Sequence, residues 1–197
     1  MKISTLVISF TLLFSTFSFS QQDLFEYGIS TFPSLTFAWE LPKEPSVSFS
    51  GGVFCNYNIS DRFGIGGSLE YKQLNLKQKQ FSDRTSRNLF EIIKTPVWMS
   101  INLNPKSTGK SKSYLIIGYS FGKILFSDAA EREYNLTDLV DRVHFGKIGL
   151  ESRIRLGDEH QFTIGQHLDF TNIYDRRYGN IFDYQIVIRI GKITFNK

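Results

Sequence analysis

The residue type best suited to chemistry in this chain is histidine, which occurs at His144, His160 and His167. Their spacing does not match the HxxxH or HExxH patterns that place two imidazoles on one metal ion, so no metal site is expected. A serine, a histidine and a carboxylate could form a hydrolytic triad, but the many serines leave no particular one favoured. We therefore predict no catalytic residue, no cofactor and no enzymatic activity.

A second group of residues that could take part in chemistry consists of charged side chains. They recur on one face of polar segments that contain glycine. Both signs of charge share that face, so the side chains could pair with one another in a closed space, where unpaired charges would be prohibitive. Such a set could form a structural ion network or line a narrow channel. The predicted members are Glu70, Lys72, Lys94, Lys147, Glu151, Arg153, Arg155, Asp169, Asp183 and Arg189.

These charges lie on segments in which apolar and polar residues alternate with a period of two, which is the pattern of a two-faced β-strand. No helical period competes, except at 129–140, inside a connection that could form a short surface helix. The pattern predicts an all-β fold, an eight-stranded antiparallel up-and-down transmembrane β-barrel. The eight segments begin near Phe25, Val47, Phe63, Asn88, Tyr114, Ile148, Phe162 and Phe182.

Composition excludes several classes of protein. The 197 residues suit one domain, and Cys55 is the only cysteine, which excludes a disulfide scaffold and a cysteine-based zinc site. A net charge of +4 without a run of basic residues gives no reason to expect nucleic acid as a partner.

The first twenty residues have the features of a secretory signal peptide. Lys2 precedes an apolar run at 3–14, and Ser18, Phe19 and Ser20 give the small-x-small pattern that a signal peptidase accepts. We predict cleavage after Ser20, so that residues 21–197 form the outer-membrane barrel domain. After the signal peptide no run of about 18 apolar residues remains, so no transmembrane helix is expected.

The alternation alone does not reveal which face of the barrel lies inside. In a soluble barrel the apolar face lines the interior, whereas in an outer-membrane barrel it faces lipid. The polar face carries many small Gly and Ser residues, which suit a narrow interior, and aromatic residues lie towards strand ends, as in the girdles of membrane barrels. We therefore predict that the apolar face points outward, including Phe49, Leu69, Ile164 and Ile186.

Connection lengths predict how the barrel is oriented. Short turns at 60–61 and 157–159 alternate with longer connections, which include 77–87 and 127–142, the longest. Outer-membrane barrels keep their short turns in the periplasm and their longer loops outside. With an even number of strands, both termini would lie at the periplasmic end.

Three stretches of the sequence, at 51–63, 90–98 and 113–122, resemble the PorT-like outer-membrane β-barrel domain family of Bacteroidetes. The second of them places Pro96 inside the fourth strand, as the family does. The resemblance implies an eight-stranded outer-membrane barrel, without implying an activity. Barrels of this kind often end in an aromatic residue that the assembly machinery recognises, whereas here Phe195 is followed by two further residues.

Together these features predict a small, non-enzymatic protein of the Gram-negative outer membrane, surrounded by outer-membrane lipid and inserted by the outer-membrane assembly machinery. Its role would be structural in the envelope, or would be the binding of an unidentified partner through the extracellular loops. Two alternatives stay open at this stage. One is a narrow channel or a transport or secretion accessory, and the other is a soluble periplasmic barrel that holds a lipid.

Overall fold

The computed structural model describes residues 24–38, 45–79, 85–127, 142–172 and 180–195. The predicted signal peptide at 1–20 and the predicted short helix at 129–140 lie outside the described residues, so both stay predictions. In the described part of the chain, no helix has the length and apolar character needed to cross a membrane. The strands are β1 (Leu24–Ala38), β2 (Ser46–Asn58), β3 (Phe63–Lys79), β4 (Thr85–Asn102), β5 (Ser111–Ser127), β6 (Arg142–Leu156), β7 (His160–Asn172) and β8 (Asn180–Phe195).

The eight strands form one closed barrel in sequence order, and β8 pairs with β1 to complete it. Every neighbouring pair is antiparallel. If the register is followed once around the barrel from Phe25, it returns to β1 at Leu35, so the shear is 35 − 25 = 10 residues. Eight strands closed with such a stagger enclose an interior that side chains fill. The predicted fold class is confirmed.

One hairpin is longer than the sequence pattern predicts. The connection between β3 and β4 was expected to span 77–87, but Lys77 pairs with Arg87 and Lys79 pairs with Thr85. The residues here are polar on both faces, so hydropathy alternation gives no signal, although the backbone ladder continues without it. The β3–β4 hairpin therefore extends beyond Gln73, which is the last residue of β3 that pairs with β2.

Two strands contain a proline, and each proline interrupts one of the two ladders of its strand. The β3–β4 register passes from the Gly67–Val97 pair to the Glu70–Lys94 pair without using Pro96. Similarly, the β1–β8 register skips Pro33. Proline has no amide hydrogen to donate, so each strand pairs continuously past its proline only on its other side, where Pro96 faces Ser120 and Pro33 faces Phe49.

The apolar face of the barrel points outward, as predicted. Phe49, Leu69, Ile164 and Ile186 are 54%, 53%, 45% and 44% exposed, whereas Glu70, beside Leu69 in the chain, is 0% exposed. A transmembrane barrel has this arrangement, with apolar side chains on the outside and charged side chains on the inside. It is the reverse of the arrangement that a soluble barrel needs in order to hold a lipid.

Outward-facing aromatic residues lie near both ends of the apolar surface. Phe25 and Tyr57 pair near the short-turn end, and Phe63 begins β3 at the same end. Other aromatic side chains lie towards the opposite ends of their strands: Phe37, Phe49, Phe121, Phe170 and Phe182. Two such belts correspond to the two membrane–water boundaries of an outer-membrane barrel.

Two positions on β3 test whether the outer face contacts lipid. Leu69 lies in the apolar belt, whereas Gln73 is on the same strand and the same face, beyond Tyr71. We expect Leu69→Arg to lower the free energy of unfolding in lipid vesicles by about 2–4 kcal/mol, because a guanidinium in the hydrocarbon region is poorly solvated. Gln73→Arg is the matched control and should cost less than about 1 kcal/mol. Equal losses, measured by urea titration, would contradict the membrane placement.

Candidate functional site in the barrel interior

The interior holds a balanced set of buried ionisable groups. Five carboxylates and five basic side chains of the described residues are buried there, together with His167, so the formal charge of the set is zero when the imidazole is neutral. The carboxylates are Glu26, Glu70, Glu151, Asp169 and Asp183, and the cations are Lys72, Lys94, Lys147, Arg153 and Arg189. Balance is required because an uncompensated ion in a dry interior costs several kcal/mol.

Nine of the ten residues predicted for the ion network are in this buried set. The tenth, Arg155, points to the same side of β6 but is exposed at the short-turn end of the barrel. Sequence reasoning omitted Glu26, which is 1% exposed. Its position on the same face of β1 as Ser30 and Ser34 was the available signal. What the network does stays a prediction.

Lys94 is the centre of one group of charges. Its Nζ lies 3.1 Å from Glu70 Oε2 and 3.0 Å from Asp169 Oδ2. Lys147 approaches the other oxygen of Asp169 at 3.7 Å. Asp183 pairs with Lys72. Five strands therefore contribute charges to this half of the interior, namely β3, β4, β6, β7 and β8.

Glu151 is the centre of the second group. Its Oε2 accepts hydrogen bonds from Nε and Nη2 of Arg153, at 3.3 and 3.2 Å. Its Oε1 pairs with Arg189 Nη1 and lies 3.0 Å from His167 Nε2. Because a carboxylate only accepts hydrogen bonds, this contact assigns the imidazole hydrogen to Nε2. One carboxylate thus holds two guanidinium groups and orients one histidine.

Aromatic rings provide a second type of partner for the buried cations. Arg189 lies over the Trp98 ring at 4.7 Å, and Arg153 lies over the Tyr114 ring at 4.1 Å. The three lysines also have a ring within reach, at 5.5–5.8 Å. Ring faces attract cations through their quadrupole and occupy volume that water would otherwise fill. The rings involved are Phe32, Phe54, Trp98, Tyr114 and Phe145.

Trp98 can occupy the interior because its neighbour on β3 has no side chain. Gly66 is paired with Trp98, and a Cβ on Gly66 would lie only 2.5 Å from the indole ring. The indole Nε1 donates to Asn56 Oδ1 at 3.1 Å, and Asn56 Nδ2 donates to Glu26 Oε2 at 2.9 Å. This chain of contacts fixes Glu26, which also interacts electrostatically with Arg153 and Arg189 of the second group.

An apolar cluster closes the interior at the long-connection end. Its members come from four strands and are almost fully buried, with Ile124 of β5 packed against them. A smaller apolar cluster lies in the other half of the barrel and comprises Phe54, Trp98, Tyr114 and Ile116. The first cluster therefore covers the charges at the long-connection end, whereas the rings of the second lie beside Arg153 and Arg189. The residues of the closing cluster are Leu74, Phe90, Ile92, Val143, Phe145 and Ile181.

The three histidines lie in different environments. His167 is buried in the interior, His160 is exposed at the start of β7, and His144 is on the outer face, where its Nδ1 lies 2.8 Å from the Tyr119 hydroxyl. Among the described residues, no group of three or more His, Cys, Asp or Glu side chains could hold a metal ion.

Lys94 allows the pairing inside the barrel to be tested. We expect Lys94→Met to lower the free energy of unfolding by about 3–5 kcal/mol, because Glu70 is left as a buried charge without its cation. Adding Glu70→Gln to this variant should restore part of the loss, since the stranded charge is removed. The exposed lysine Lys123 on β5 is the control, and Lys123→Met should change stability by less than about 0.5 kcal/mol. A double variant no more stable than Lys94→Met would contradict the pairing.

Comparison with known proteins identifies the fold and leaves the family undetermined. No protein-family model matches the chain, and no curated protein matches it. One similar solved structure is the outer membrane protein OprG from Pseudomonas aeruginosa, with a TM-score of 0.59 and 9% sequence identity over 90% of this chain and 97% of that one. Neisserial surface protein A gives a TM-score of 0.54 and 9% identity over 85% of this chain and 96% of that one. Ail of Yersinia pestis, in complex with a heparin analogue, gives a TM-score of 0.52 and 10% identity over 88% of this chain and 99% of that one. At these identities the likeness shows that the chain has the fold of small outer-membrane β-barrels.

Proposed function

We propose that the protein is a closed outer-membrane barrel that presents its long connections at the cell surface, where it supports the envelope or binds a partner, without catalysing a reaction. The observation that carries this proposal is the filled interior. Lys72, Lys94 and Asp169 are 0% exposed inside the barrel, and the apolar cluster covers them at the long-connection end. An interior of this kind supports the walls of the barrel and leaves no open path.

The outer surface and the fold support a position in the outer membrane. Apolar residues face outward along all eight strands, between two belts of aromatic side chains. The similar structures include an outer membrane protein, OprG. The predicted signal peptide would bring the chain to the compartment from which such barrels insert. The resemblance to the PorT-like family of Bacteroidetes agrees with this location and remains part of the proposal.

Binding is proposed for the long-connection end because that end has the greater length of connecting chain. The connections there are 39–45, 80–84, 128–141 and 173–179, and those at the other end are 59–62, 103–110 and 157–159. The connection at 128–141 carries charges of both signs, among them Glu131, Arg132 and Asp138. Loops on a rigid scaffold commonly carry binding sites, and the barrel below would hold these loops in place.

A narrow channel is the second candidate, and one feature of the interior favours it. Several buried polar atoms have no hydrogen-bond partner within the described part of the chain, including Lys147 Nζ and both Nε and Nη2 of Arg189. A network with unused donors can adopt other pairings, and a change of pairing could open a path along the axis. This candidate requires the apolar cluster around Phe90 and Phe145 to move as well.

Cysteine labelling tests the location and the sidedness. Cys55 is exposed on the outer face and would be replaced by serine. Two single cysteines would then be introduced separately as labelling sites. Ser82→Cys lies in the β3–β4 connection and Thr108→Cys lies in the β4–β5 connection, at the opposite end of the barrel. A membrane-impermeant maleimide should label Ser82→Cys on intact cells, and Thr108→Cys only after the outer membrane is permeabilised. Labelling of Thr108→Cys on intact cells would contradict the proposed orientation.

Conductance in planar bilayers separates the two candidates. We expect the purified, folded barrel to give no current steps, because its interior is filled and covered. An open porin added to the same bilayer is the positive control, and a mobility shift on boiling shows that the inserted protein is folded. Reproducible current steps from the folded protein would overturn the closed barrel in favour of the channel.

A further inference from the structure

The short-turn end of the barrel contains a pocket that the proposed surface role does not use. The pocket has a volume of about 200 Å3 and lies at the mouth of the interior, between the β2–β3 turn, the β4–β5 connection and strands β5, β6 and β7. That volume equals roughly seven water molecules at about 30 Å3 each. It is enough for one small polar group together with part of the molecule that carries it.

The pocket is strongly basic. Lys110, Lys112, Arg153 and Arg155 line it, and Asp61 is the one carboxylate among the described lining residues. Because Arg153 is already paired with Glu151 of the interior, the other lining residues carry a formal charge of +2. This differs from the interior beyond it, where cations and carboxylates balance. An excess of positive charge in a concave site favours anions, because the field of the lining is concentrated there.

Arg153 forms the inner wall of the pocket and is held in a fixed orientation. It is 3% exposed, its Nε and Nη2 are hydrogen-bonded to Glu151, and its guanidinium stacks on the ring of Tyr114. The Nη1 amino group takes no part in the contact with Glu151. A guanidinium fixed in this way binds an oxyanion without losing the freedom of a mobile side chain.

The rim of the pocket is also ordered by hydrogen bonds. The backbone N–H of Arg155 donates to the carbonyl of Lys110 at 2.9 Å, which fastens the β4–β5 connection to β6. At the base of the same connection, Ser113 N–H donates to Asn104 Oδ1 at 2.9 Å. Lys110 and Arg155 are therefore held beside each other, although both are cations. Both residues line the pocket, so their positive charges add to the field inside it.

We propose that this pocket binds a phosphate group carried by a water-soluble molecule. Phosphate suits the pocket because its several oxygens can accept hydrogen bonds from a guanidinium and from lysines at the same time. Tyr114 and Arg153 face the barrel axis, so the entrance opens to water and not to the lipid around the wall. If the orientation in "Proposed function" is right, the ligand is a phosphate ester of the periplasm.

The test is calorimetric titration of the folded barrel, in an uncharged detergent, with sodium pyrophosphate and with glycerol phosphate. We expect both to bind, and we expect Lys110→Gln/Lys112→Gln to weaken binding about tenfold, because two charge-assisted contacts are lost. The matched control is Arg62→Gln/Lys106→Gln, which removes two exposed charges at the same end of the barrel that do not line the pocket. The control should bind within about twofold of the wild type.

Three outcomes would overturn the proposal. One is a wild type that binds neither anion, and another is an equal loss of binding in both double variants, which would mean that general attraction and not the pocket binds the anion. The third is binding only to micelles that contain phosphatidylglycerol, which would assign the basic residues to a lipid headgroup. A shift in gel mobility on boiling verifies that each variant is folded. Since the titration is independent of membrane orientation, its outcome and that of the cysteine labelling are separate.

Discussion

Charge balance in an interior that excludes water is the constraint on which this molecule depends. A backbone in lipid must satisfy its hydrogen bonds within the protein, so the sheet must close, and eight strands enclose a space that side chains fill. Each ion placed there needs a partner, because desolvation exceeds what a lone charge can recover. Five buried carboxylates with five buried cations meet that requirement, and the largely apolar outer face is possible because most of the charges on the strands are placed inside.

The closure of the barrel determines which charges meet. Glu70 and Lys94 are direct cross-strand partners, as are Lys147 and Asp169. Asp169 and Asp183 are also directly opposite each other, an arrangement of like charges that destabilises a sheet. It is tolerated here because Lys94 and Lys72 reach these carboxylates from β4 and β3 across the interior. Gln185 also donates hydrogen bonds to both, at 2.8 and 2.6 Å.

Much of the fold follows from the period-two pattern, and less of the site does. Alternation identifies a strand and its two faces, so the eight strands and the inward position of charges such as Lys94 and Asp169 could be predicted. The partners could not, because they depend on a shear of ten residues that is visible only when the barrel closes. Where both faces are polar, as at 77–79, the pattern does not reveal how far a strand extends. The inward position of Phe54 and Phe145 was not predicted, because apolar residues are expected on the lipid face.

The two ends of the interior differ, and this difference separates two tasks in one small barrel. At the long-connection end the cluster around Phe90 and Phe145 excludes water, so the ion pairs beneath it keep their strength and the wall that bears the loops is rigid. At the short-turn end the guanidinium of Arg153 borders an open pocket. Glu151 belongs to both regions, since it anchors Arg153 at the pocket and Arg189 in the interior. The same ion pairs that stabilise the wall thus hold the pocket in shape.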